Sequence, residues 1–201
     1  MKKLILPFAL VLLLSFTAKD TPLTKEERSM AITEMTKTKN HLLEAVDDLT
    51  EAQLNYKSTP ESWSIAECVE HIAISENRIF GMLQNTLKTP SDASRRSEVK
   101  MTDAQVIALL VDRSNKVKTR EAFEPTGTFG SYDATLEAFT TKRAENMEFV
   151  MNTEDDLRNR YQQLPFGIID SYQILLFMSA HTERHVRQIE EVMNNAGFPK
   201  Q

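Results

Sequence analysis

A single cysteine, Cys68, stands in a chain of 201 residues. No internal disulfide can form, so the fold has to hold by its apolar core. Glycine and proline are also scarce, at five and seven residues, while Leu, Met, Ala, Glu and Lys are common, and this balance favours helix over sheet. No basic stripe is present. The 24 basic and 29 acidic residues are spread along the chain for a net charge of −5, which leaves nothing to neutralise a run of phosphates and excludes nucleic acid as a partner. No glycine- or serine-rich linker divides the chain, and its length suits one well-buried domain. No internal repeat or low-complexity segment follows the amino terminus.

The one long apolar run comes first. "MKK" precedes "LILPFALVLLLSFTA", a positive region followed by about 15 apolar residues, the length of a signal-peptide core and too short to span a bilayer comfortably. Residues 1–18 are therefore expected to be an export signal ending near Ala18, with Phe16 a poor fit to the small residue favoured two positions before cleavage. If cleaved, the signal leaves no stable membrane span and an exported, periplasmic or secreted protein. If uncleaved, it is an anchor. No cysteine follows it to accept a lipid.

Beyond it, hydrophobic spacing marks four long amphipathic helices. The first, about 25–49, opens with the capping-box pair Thr24 and Glu27 and carries Met35, Leu42, Val46 and Leu49. Thr50 and Gln53 cap a short further turn that Pro60 ends. Ser64 and Glu67 repeat the capping device ahead of a second long helix, about 65–88, striped by Ile65, Val69, Ile72, Ile79 and Leu83. After a polar loop, Thr102 caps a short helix with Val106, Leu109 and Leu110. The third long helix is expected over about 132–152 with Leu136, Phe139, Met147 and Val150. The last starts at Asp170 or Ser171 and stops at "NNAGFP". No strand signal is visible, so the expected class is all-α, a four-helix bundle.

The last helix raises a chemical question, because "SAHTERHVRQIEEV" puts two histidines on its apolar face. With about 100° per residue, His185 falls about 20° and His181 about 60° from Met178 on the wheel, inside the stripe of Ile174, Ile189 and Val192. Two imidazoles four residues apart can aim nitrogens at one point, the arrangement that binds divalent metals, or can be two hydrogen-bonded core histidines. His71, on the second long helix beside Cys68 and Ser75, faces a neighbouring helix and offers a third ligand of the kind bundle cores use. His41 sits at the edge of its stripe and reads as a boundary residue.

At this point the residues carry a likeness. "LTEAQLNYKSTPESWSIAECVEHI" resembles the junction before the metal-binding histidine in the DinB-like superfamily, and "PFGIIDSYQILLFMSAHTERHVRQIEEV" resembles that family's final helix with its HxxxH pair. The resemblance spans about residues 24–196. It implies an up-down-down-up four-helix bundle, often dimeric, with His71, His181 and His185 as the three ligands of a divalent metal. It also implies an activity, since members include thiol-dependent transferases and isomerases using mycothiol or bacillithiol, and others grouped only as metal-dependent hydrolases. The export signal sets this chain apart from the thiol-dependent members, whose cofactors are cytosolic. A homodimer and an unidentified small molecule are the partners implied.

Three neutral imidazoles leave coordination positions open, as in catalytic zinc sites, and suit Zn²⁺ or Ni²⁺ better than the oxygen-seeking Mg²⁺ or Ca²⁺. That composition supports hydrolase or transferase chemistry, and equally a non-catalytic metal-binding or stress-related bundle. Glu76, on the stripe of the second long helix, is the acidic group expected to enter the core beside the site as base or support. Glu70 is expected to point outward and Glu183 to face away. Gln188, at the stripe margin, can support the site or make an ordinary interhelical hydrogen bond. Trp63 packs over the start of its helix or lines a pocket. Arg184 reads as a solvated or ion-paired side chain, and Cys68 as a small core residue.

Overall fold

The computed structural model describes residues 21–115 and 117–200. The expected export signal, residues 1–18, lies outside them. Six α-helices are present among the described residues: α1 (Lys25–Ala45), α2 (Glu51–Leu54), α3 (Ile65–Thr86), α4 (Asp103–Val111), α5 (Tyr132–Asn152) and α6 (Ser171–Met193). None is long and apolar enough to cross a membrane.

Local chemistry sets the boundaries. Thr24, Thr50, Ser64, Thr102 and Asp170 each close a full capping box on the helix that follows, a device worth about 1 kcal/mol apiece. α1 stops at Ala45, earlier than the spacing of Val46 and Leu49 predicts, because Asp48 takes the left-handed conformation at φ 53° and turns the chain toward α2.

The four long helices form the bundle, with α6 packed against α1 and α3, and α5 packed against α3 and α1. Thr38 meets Ser179 and His41 meets Glu183, so α1 and α6 run parallel. Thr86 meets Ser171 while His71 meets His181, so α3 runs against α6. Arg143 meets Thr182 and Asn146 meets Met178, so α5 also runs against α6. The order is therefore up, down, down, up. The parallel step from α3 to α5 needs a return path, and α4 supplies it by lying along α6, from Gln173 beside Met101 to Arg184 beside Leu110.

A β-hairpin precedes α6 and corrects the strand-free expectation. β1 (Tyr161–Leu164) pairs antiparallel with β2 (Gly167–Asp170), Leu164 facing Gly167 across the turn. Four residues per strand are too few for an alternating pattern to stand out. The available signal was Gly167, which opens β2 just after the turn with φ 136°, a conformation that side-chain-bearing residues rarely adopt.

The bundle core is two apolar clusters separated by a polar layer. One cluster gathers Met35, Leu83, Val150, Leu175 and Met178, the other Leu42, Val69, Phe139, Val186 and Ile189. Between them Arg143, fully buried, donates from Nε and Nη2 to the two oxygens of Glu76 at 2.8 Å each. It also donates to Met35 O and Thr38 Oγ1 at 2.9 Å and to Thr182 Oγ1 at 2.8 Å. Asn146 Nδ2 completes the set on Glu76 Oε1 at 2.8 Å. All four long helices contribute. Glu76 does enter the core as expected, but its carboxylate is committed to this ion pair, which corrects its assignment as a base.

Candidate metal centre

His71, His181 and His185 come together at the α3–α6 interface, each presenting a ring nitrogen within 4.8 Å of the others. His71 comes from the first half of α3 and the pair from the middle of α6. Because the two helices run in opposite directions, a 110-residue separation in sequence closes to 3.3 Å between His71 Nε2 and His181 Nε2.

The tautomers follow from the outer partners. His71 Nδ1–H donates to Phe123 O at 2.7 Å, since a carbonyl can only accept. His185 Nδ1–H donates to Gln188 Oε1 at 2.9 Å. Both rings therefore turn an unprotonated Nε2 inward, which is the usual orientation of metal-ligating histidines held by a second partner. Two nitrogens bound at about 2.0–2.1 Å in a tetrahedral arrangement sit about 3.3–3.4 Å apart, matching the separation of His71 from His181. The residues present thus fit a divalent transition metal in both donor chemistry and spacing.

Electrostatics favours the neutral imidazoles that such a metal needs. Burial lowers the pKa of His71. Burial, with His71 and Arg184 nearby, brings His181 down to about 3. His185 is held well below its ordinary value by burial and by His181 and His71. No carboxylate joins the cluster among the described residues, so a metal here would keep its full charge and any position the three rings leave free.

The surroundings are built from segments on both sides. Trp63 packs its ring 4.8 Å from that of His71 and 6.3 Å from that of His185, so it lines the centre as well as covering the start of α3. Phe177 stacks on His181 at 6.2 Å. A cleft of about 510 Å³ opens beside His185, with Trp63, Lys118, Arg184 and Gln188 in its wall, within the size range of small-molecule sites.

The α4–α5 connection straps this end of the bundle through backbone groups. Phe123 O is held by His71, and Glu70 Oε1 accepts from Thr126 N at 3.1 Å and Thr128 N at 2.6 Å. Glu70 is accordingly buried rather than outward, its charge taken up by two amides of the strap. Arg184 donates to the carbonyls of Leu110, Asp112 and Asn115 and so anchors the strap instead of lying free in solvent. Glu183 does face away, toward α1, where its carboxylate pairs with His41 at 2.9 Å. Cys68 is fully buried and its thiol is pushed up to about 12 by desolvation, so it is a core residue.

These features define a class of protein, a four-helix bundle carrying an open three-histidine centre between two antiparallel helices. The chain belongs to the DinB superfamily, whose family model matches residues 34–189. It is similar to the uncharacterized protein YuaE of Bacillus subtilis strain 168, at 23% identity over 145 residues, 72% of this chain and 85% of that one. It shares its fold with YfiT from Bacillus subtilis, described as a probable metal-dependent hydrolase with an unusual four-helix bundle topology. That match has a TM-score of 0.51 and 19% identity, and covers 88% of this chain and 91% of the other.

Proposed function

We propose that the protein is a metal-dependent hydrolase or transferase that holds a divalent transition metal, Zn²⁺ or Ni²⁺, on His71, His181 and His185 and acts on a small molecule in the adjoining cleft. The observation that carries the proposal is the convergence of three histidine rings with no carboxylate in the cluster among the described residues. Bound there, the metal supplies Lewis acidity, which activates water or polarises a substrate carbonyl or phosphoryl group. The chain's own residues hold and orient it. Phe123 O and Gln188 fix the inward-facing nitrogens, Trp63 excludes water from one side of the rings, and the cleft beside His185 admits a ligand. Glu76 supplies no base, because Arg143 occupies both of its oxygens. The reading includes export, which the composition of residues 1–18 supports.

The test is metal content. Protein beginning after residue 18, offered Zn²⁺ or Ni²⁺ and dialysed, is expected to retain about one equivalent. His181→Ala is expected to lose it while keeping its helical circular dichroism. Wild-type protein that takes up no stoichiometric metal overturns the proposal.

A further inference from the structure

We infer that Arg113 is a positioning residue for the metal centre, acting through Gln188 to set which nitrogen of His185 is free. This rests on the metal-binding reading above.

A side-chain amide can turn either its oxygen or its nitrogen toward a neighbour. If Gln188 turned its NH₂ toward His185, it would donate to Nδ1, move the ring proton to Nε2 and remove the inward lone pair. Something has to select the oxygen. Arg113, just past the end of α4, places Nη1 3.4 Å from Gln188 Oε1, the same oxygen that accepts from His185 Nδ1 at 2.9 Å. A guanidinium has donors only, so it can share that position with an oxygen and not with an NH₂. Its own place is fixed by Glu191, which takes Nε at 2.7 Å and Nη2 at 2.6 Å in a two-pronged pair. Nη1 also reaches Arg184 O at 3.4 Å, so these contacts run along the part of α6 that carries His185. The Arg113 side chain is 17% exposed and that of Glu191 59%, so the chain Glu191, Arg113, Gln188, His185 runs from solvent to the metal ligand. Each link forces the next: carboxylate to guanidinium, guanidinium to amide oxygen, amide oxygen to Nδ1–H, and Nδ1–H to a bare Nε2.

The alternative is that Arg113 only anchors the strap. The two roles separate in a double-mutant cycle. Gln188→Glu offers oxygens on both sides and needs no selection, so it bypasses Arg113. Zn²⁺ affinity, measured by competition with a chromophoric chelator, is expected to fall about tenfold in Arg113→Met, in the range of outer-shell substitutions. The same Arg113→Met change in the Gln188→Glu background is expected to cause no loss. In the metal-free protein, ¹⁵N shifts of His185 are expected to report the Nδ1–H tautomer in wild type and a mixture in Arg113→Met. Equal loss of affinity in both backgrounds overturns the inference in favour of a structural anchor. An unchanged tautomer in Arg113→Met with affinity within twofold of wild type overturns it too. A wild-type protein that binds no Zn²⁺ defeats the functional proposal instead, and the tautomer measurement still decides the role of Arg113.

Discussion

Removing Arg143 alone should damage the protein more than removing Arg143 and Glu76 together. The guanidinium makes five hydrogen bonds, two of them to a carboxylate that is itself without exposure. In Arg143→Met, Glu76 keeps only Asn146 as a partner and remains a buried charge. Breaking one side of such a pair costs about 3–5 kcal/mol. In Glu76→Leu combined with Arg143→Met the charge is gone. Thr38 still reaches Ser179 at 3.0 Å and Thr182 still reaches Met178 O at 3.3 Å. The main loss is then the Asn146 amide, left with Met178 Sδ at 3.7 Å, at about 1–3 kcal/mol for one unsatisfied group. The double variant should therefore recover about 2 kcal/mol relative to Arg143→Met, the difference between those two ranges. Urea unfolding with matched m-values measures each variant, and for a domain of this size 3–5 kcal/mol is a fall of about 6–20 °C in Tm. A single variant costing under about 1 kcal/mol, or strict additivity, would refute the account of the layer as a charge pair whose halves depend on each other.

Two further outcomes follow from other contacts. His41 is bridged by Glu183 and Glu190 on α6, and hydrogen bonding to Glu183 leads the causes that raise its pKa above 6.5. A raised histidine stabilises fully below its unfolded pKa of about 6.5 and loses that contribution as pH rises through the folded value. His41→Gln should accordingly lower Tm at pH 5.5 by no more than about 2–4 °C, the pair being partly exposed, and by less at pH 8.5; a larger fall at pH 8.5 contradicts the sign. Glu70→Ala should free the amides of Thr126 and Thr128, so hydrogen exchange of segment 124–130 should quicken about tenfold or more, from the 1.5–3 kcal/mol of a charge-assisted bond, while α3 exchange stays unchanged. Unaltered protection of that segment would mean that Glu70 does not hold the strap.

Most of the bundle was legible because helix periodicity and caps are local signals. Thr24, Ser64 and Thr102 mark true starts, and α5 spans the predicted 132–152. The three histidines were legible for a different reason, since imidazoles on an apolar stripe are out of place unless they share a task. What escaped was chemistry that depends on partners far away in sequence. Phe139, Arg143, Asn146 and Val150 fall at steps of four, three and four, so Arg143 and Asn146 occupy core positions of α5. Polar residues on a stripe were the available clue to the layer, yet a charged residue is read as outward until its partner, 67 residues away, is known. Glu70 and Arg113 were missed likewise, because the strap amides and Gln188 that define their roles lie 56 to 75 residues distant.

The antiparallel meeting of α3 and α6 has a consequence for the order in which the molecule comes into being. During synthesis His71 emerges 110 residues before His181, and a chain lacking its last quarter owns one ligand and cannot chelate. Closing so long an interval waits on the return of α6 to the bundle, which is among the slow, non-local steps of folding. The centre is therefore a product of the finished bundle rather than a nucleus for it, and bound metal would stabilise the native state alone, slowing unfolding more than it speeds folding.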